Sequence, residues 1–482
     1  MKKASLLLFT MFGLLLWFAT CQDPSKPPVA LPEVAITPVP LPTNIVPGFQ
    51  FPEDSNKIIN QWLGGFTAQN FDTVSIYNHA WGIWAGLTAP SGQKWNNQEL
   101  LVYETWPGIS EIQAMTQSND KSLKFTKLGR GNLKPPSQFG HATLRMNALK
   151  GGAIPVDSIN EETGGGADLW TTVTYDPTAA SHAVTNDLLK TSKLAGMVRP
   201  GQISAIPAFP NTAITLKPTY LIGKKSDQTL KIPAWPGPPT PAKNFPDTMW
   251  NSWVYIDMTK ATPSGKNLVP VPDGNPTQAQ IAAATGNLGD FIHYTLDSAA
   301  AAYVNQQQSS QGVKAAAGDV ALLIAMHVTT KEISNWTWQT FFWAPNPDNP
   351  PFPSDAVAAS LRPKQLSGAA SHYALSTTYA MVRPNQPVAG GTNKNVNAVI
   401  GYNPYLEPNL GQLNTPGVNP NQLNPNYQWG VQSNCMSCHA QAYYPAKFIY
   451  TADQYVDMKN GAFYNGTVQL DFAWSIAVNL IQ

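Results

Sequence analysis

Charge is scarce in this sequence. Only 12% of its 482 residues are Asp, Glu, Lys or Arg, about half the share of an ordinary soluble domain. The 30 basic and 29 acidic residues nearly cancel, and no long basic run exists, which argues against nucleic acid as a main partner. Cysteine is rarer still. Three residues cannot supply the disulfide framework that staples small exported domains. The short strings that mark common hydrolases and nucleotide enzymes are also missing: there is no G-x-S-x-G, P-loop or H-E-x-x-H. The one triple glycine, Gly164-Gly165-Gly166, reads as a turn.

What is present instead is apolar and heavily punctuated. Apolar residues make up 43% of the chain, enough for a sizeable core, alongside 43 Pro, 35 Gly and 15 Trp. Short runs rich in aromatic and β-branched residues, bounded by turn residues, predict strands at Leu100–Trp106, Leu169–Tyr175, Ile214–Ile222, Trp250–Met258, Val320–Val328 and Trp336–Trp343. Helical patterns fall at Thr277–Ala284, Gly289–Gln308 and Phe71–Leu87. The reading is an α+β fold, mostly β, with long Pro/Asn-rich irregular segments, above all between Asn403 and Asn434. Single cores stop growing near ~250–300 residues, so two subdomains are expected, 49–245 and 246–482, divided at the proline cluster Pro233–Pro246.

The N-terminus predicts export. Lys2 and Lys3 precede a short uncharged stretch, Ala4–Ala19, which ends at Phe18-Ala19-Thr20-Cys21. A positive start before a short apolar run describes a secretory signal over residues 1–20. Its ending resembles the signal of bacterial lipoproteins, which implies lipidation of Cys21 and a membrane anchor. Thr20 and Phe18 depart from that pattern. Residues 21–48 contain eight prolines and read as an extended Pro-rich tether. Removal of the signal takes two lysines and no acid, turning a net charge of +1 into −1.

The other two cysteines stand in Cys435-Met436-Ser437-Cys438-His439, a C-x-x-C-H string. On a helical turn, positions i, i+3 and i+4 share one face, so two thiols and an imidazole converge on one flat ligand. The thiols can add to two haem vinyl groups while His439 coordinates iron from the proximal side. Three plainer readings compete. A Cys435–Cys438 disulfide would not call for His439, zinc would need a fourth ligand, and a thioredoxin-like motif would sit in a small α/β unit.

With residues 434–440 as its firm part, the sequence resembles a bacterial c-type cytochrome, specifically a large, single-haem extracytoplasmic lipoprotein of the cytochrome c family. His79-Ala-Trp-Gly-Ile-Trp84, His327–Trp343, Gly401-Tyr-Asn-Pro-Tyr-Leu-Glu407 and Asp471-Phe-Ala-Trp-Ser475 share that likeness. The resemblance implies one covalent haem c in the bacterial cell envelope and an unidentified redox protein partner. Only 43 residues follow His439, too few for a class I cytochrome c fold, and the Pro/Gly punctuation rules against a four-helix bundle. The haem is therefore expected to be packed into a larger body.

Iron's sixth ligand is not settled by the motif. His327 is the first choice, because strand alternation places it with Ala321, Leu323, Ala325 and Thr329 on a face that leaves room for something bulky. Met381 is the alternative distal ligand, followed by His79, His372, Met458 and an open site. Trp336, Trp338 and Phe341–Trp343 could shield the group or serve simply as core. Lys121, Lys124, Lys127, Arg130 and Lys134 read as a solvated edge, or else as a dock for an acidic partner. The functional expectation is one-electron transfer. The alternatives are a peroxidase-like haem oxidoreductase with an open sixth site, and a surface binding lipoprotein with structural haem.

Overall fold

The computed structural model describes residues 33–53, 55–118, 126–128, 133–134, 169–240, 245, 247–307, 314–407, 434–445 and 454–482. The signal peptide, Cys21 and the first part of the tether lie outside the described residues, as do Lys121, Lys124 and Arg130. The fold is mixed α and β, and among the described residues strands outnumber α-helices. No helix among them is long and apolar enough to cross a membrane.

The organising element is an open antiparallel sheet of seven strands: β1 (Leu169–Thr171), β2 (Thr174–Tyr175), β3 (Ile214–Gly223), β4 (His293–Thr295), β5 (Val320–Thr330), β6 (Thr337–Trp343) and β7 (Tyr373–Thr377). Its order is β7-β6-β5-β3-β1, with β4 also on β5 and β2 also on β3. The long Ile214–Ile222, Val320–Val328 and Trp336–Trp343 runs are strands as the sequence predicts. Leu100–Trp106 instead passes from a short strand into a 3-10 turn, and the described part of Gly289–Gln308 is α-helical only over Ser298–Gln307.

The two faces of the sheet differ in chemistry. Register puts Met326, Phe341 and Leu375 side by side on one face. Helix α1 (Thr73–Leu87) covers that face, with Trp84 stacked on Phe341 at 4.4 Å. Asp72 caps α1 by accepting from the Ser75 amide. Close approach needs Gly82, where a Cβ would fall 2.1 Å from the Phe49 ring. The opposite face carries Lys217, His327, Thr340 and Ser376 in one row and Thr219, Ala325, Phe342 and Ala374 in the next. Most of these side chains are small or polar.

The strand pairing runs across the expected domain boundary. β3 precedes residue 245 and pairs along its length with β5, which follows it. One continuous core takes residues from Ile59 to Ile476. A division at 245 would cut that core, because strand pairing carries the chain across the proline cluster. The second half of the expected tether is likewise seated on the body. Val39, Leu41, Ile45 and Val46 pack against the core, and Trp106 Nε1 donates to the Val39 carbonyl at 2.7 Å. Apolar residues interspersed with the prolines explain why this stretch docks. Lys134 is no freely solvated edge residue either: burial lowers its ammonium pKa.

Candidate functional site

Residues Cys435–His439 form one short helix, α2, on the small-residue side of the sheet. Asn434 starts it. Its Oδ1 accepts from the Ser437 amide at 3.0 Å, and its Nδ2 donates to the carbonyls of Ala380 at 2.6 Å and Val399 at 2.9 Å. Asn434 is fully buried, so removing it would orphan several backbone groups, each costing roughly 1–3 kcal/mol. Met436 and Ser437 point into the core, whereas Cys435, Cys438 and His439 are only half-buried. The pattern i, i+3, i+4 thus gathers both thiols and the imidazole on the open face of α2.

His439 is oriented from three directions. Its Nδ1 bonds the Phe472 carbonyl at 2.8 Å. Trp338 of β6 lies 4.2 Å from its ring. Trp474 Nε1 holds the preceding carbonyl, that of Cys438, at 3.1 Å. A carbonyl can only accept, so Nδ1 carries the proton and Nε2 keeps its lone pair. Burial lowers the imidazole pKa to about 3; the Phe472 carbonyl opposes this, and His327 and Lys217 reinforce it. The ring is a neutral base.

The charged residues around it form a connected set. His327 Nε2 lies 3.0 Å from Glu407 Oε1, and Glu407 Oε2 accepts from the Asn403 amide. Asn403 Nδ2 in turn bonds Thr340 Oγ1 at 2.7 Å, which seats the 401–407 loop on the sheet. Burial pushes the Lys217 ammonium down to about 7, with Glu407 opposing. Burial, reinforced by Glu407, raises both thiols, Cys438 to about 12. Cys435 Sγ lies 3.7 Å from the Gly401 carbonyl.

Of the residues singled out from sequence, Cys435, Cys438, His439 and His327 come together. The other distal candidates do not present free ligand atoms to this face. Met381 supports the site through its carbonyl, but its sulfur accepts from the Val456 amide. Met458 sulfur faces Tyr464 OH. His372 Nε2 pairs with Asp290 at 3.3 Å. His79 is across the sheet, its Nδ1 2.7 Å from Tyr379 OH and its Nε2 3.1 Å from Glu332. Three of the four longer stretches noted in the sequence meet at α2: His327–Trp343, Gly401–Glu407 and Asp471–Ser475. Sequence reasoning missed Glu407, Lys217 and the Phe472 carbonyl.

The donor set fits a flat, covalently held group. It offers two half-buried thiols one helical turn apart, an imidazole with its Nε2 lone pair left open, and a facing sheet of mostly small residues. Buried Thr219 Oγ1 on that sheet has no hydrogen-bond partner. Among the described residues, no three His, Cys, Asp or Glu are grouped to hold a bare metal ion. No family model, curated protein or solved structure matches the chain.

Proposed function

We propose that the chain is an extracytoplasmic, membrane-tethered c-type cytochrome that carries one haem on Cys435 and Cys438, with His439 as the proximal ligand. The observation that carries this reading is the half-buried Cys435–Cys438–His439 face, with His439 Nδ1 committed to the Phe472 carbonyl and Nε2 left for iron. When bound, haem c supplies a one-electron couple. The chain's own residues would do the rest. Asn434 fixes the helix that carries the thiols, Trp338 packs the imidazole, and the Phe472 carbonyl holds the Nδ1 proton. In this reading His327 is the distal ligand, and a redox protein is the partner.

The His327–Glu407 pair favours a second reading. Glu407 already occupies His327 Nε2, so iron binding through that nitrogen requires the carboxylate to let go. A histidine kept beside a carboxylate can hold and deliver a proton, which suits a haem oxidoreductase whose sixth position is open. The exported protein from a host competent in cytochrome maturation should carry one covalent haem by mass and by pyridine haemochrome spectrum. Cys435→Ala/Cys438→Ala should lose it. A colourless wild-type protein whose two thiols both alkylate in denaturant would overturn both readings. A low-spin ferrous spectrum unchanged by carbon monoxide supports the carrier, whereas cyanide binding with peroxide turnover supports the oxidoreductase.

A further inference from the structure

The carbonyl that receives His439 Nδ1 belongs to an unusual turn. Asp471 and Phe472 are consecutive non-glycine residues at φ +47° and +68°. Aspartate visits this left-handed region with some ease, but a bulky residue such as phenylalanine seldom does. Each such residue costs on the order of 1–3 kcal/mol and persists only where its surroundings over-determine it.

Here the surroundings act on Asp471. Its Oδ2 accepts from the Phe209 amide at 2.8 Å, and its Oδ1 accepts from Lys331 Nζ. Lys331 also donates to the Ser334 carbonyl at 2.7 Å and lies 5.5 Å from the Trp336 ring. Lys331 and Asp471 side chains are only 8% and 13% exposed, so the pair is largely shielded from water and from salt. Lys331 opens the turn of the β5–β6 hairpin, and that hairpin delivers Trp338 to 4.2 Å from the same imidazole. One hairpin therefore holds two of the groups that orient His439: the indole directly, and the carbonyl by way of Asp471.

We infer that Asp471 is a positioning residue for His439: through its ion pair with Lys331 it pins the left-handed turn that aims the Phe472 carbonyl at Nδ1. Without that anchor the turn relaxes toward negative φ and the carbonyl leaves the imidazole. The Nδ1 proton then has no fixed acceptor, and the ring is free to rotate and change tautomer. For the electronic consequence, the inference rests on the reading of His439 as a haem ligand. A bonded Nδ1–H makes the imidazole a stronger donor to a metal, so losing the bond favours the reduced state.

Two measurements test this. In the haem-free protein with ¹⁵N-labelled histidine, wild type should show His439 as a single Nδ1–H tautomer at neutral pH. Asp471→Asn and Lys331→Met should show both tautomers, and Lys331→Arg should restore one. In the matured protein, the same two variants should shift the oxidation equilibrium at least tenfold toward the reduced state, ~59 mV for one electron. A single Nδ1–H tautomer in both variants, or an equilibrium shift under about twofold, would overturn the role of Asp471. The near-isosteric Asp471→Asn and the remote Lys331→Met each decide the matter if the other fails to fold. A wild-type protein without haem would refute the haem reading alone, because the labelled-histidine measurement judges Asp471 without it.

Discussion

The surroundings of α2 hold its two thiols in the protonated form for a physical reason. Burial removes the water that would solvate a thiolate, and Glu407 adds a repelling negative charge; together they push Cys438 up to about 12 and Cys435 in the same direction. Only the thiolate attacks an alkylating agent, and near pH 8 an ordinary thiol is ionised on the order of a thousand times more often than one at about 12. Iodoacetamide should therefore label the folded, haem-free protein at least ~100-fold more slowly than the same protein in denaturant. Equal rates, read by mass spectrometry on the 435–438 peptide, would show that the site does not shield its cysteines. His439 follows the same logic with opposite sign, since burial strips its proton and leaves a neutral base.

Among the elements, helix Pro177–Thr185 links the sheet to a measurable pH dependence. Its cap, Asp176, accepts from the amides of Thr178 and Ala179 and from Ile214 in β3. Burial outweighs these bonds and raises its pKa from 3.8 to about 6. Between those values the folded chain binds more protons than the unfolded one, so stability falls as pH rises through the window. The full effect is about 3 kcal/mol. Asp176→Asn should remove this component, so the wild-type-minus-variant difference in urea unfolding free energy should decline from pH 4 to pH 7. A flat difference would show that Asp176 titrates as it does in the unfolded chain. At the loop facing α2, Gly401 is a steric requirement, since a Cβ there would fall 2.4 Å from Thr378 Cγ2.

At the scale of the whole molecule, the antiparallel sheet is the frame on which the site is assembled. β3 contributes Lys217, β5 contributes His327, and the chain returns much later with Glu407, α2 and the 471–475 turn. The pairing of β3 with β5 and the shared core make the stretch after residue 245 dependent on what precedes it. A fragment of residues 246–482 should lack a cooperative urea transition and near-ultraviolet dichroism, while the mature chain shows both in one step. A fragment that unfolds cooperatively by itself would support two independent subdomains.

The sequence alone determined what is local. The helical spacing of Cys435, Cys438 and His439 is decided within five residues, and strand alternation was enough to put His327 on the face opposite Met326. Even there it was incomplete, because a bulge between Leu323 and Ala325 breaks the alternation in a way that composition does not reveal. The strand-rich character was legible from β-branched and aromatic runs. Only the tertiary structure decided which distant groups meet them. Glu407 arrives on a loop seated by Asn403, Lys217 arrives through strand register, and the acceptor for His439 is a backbone carbonyl, which every residue has and no sequence pattern marks. Interactions fixed by short-range geometry are written in residue order, whereas those fixed by strand pairing and strained turns exist only once the whole chain has closed.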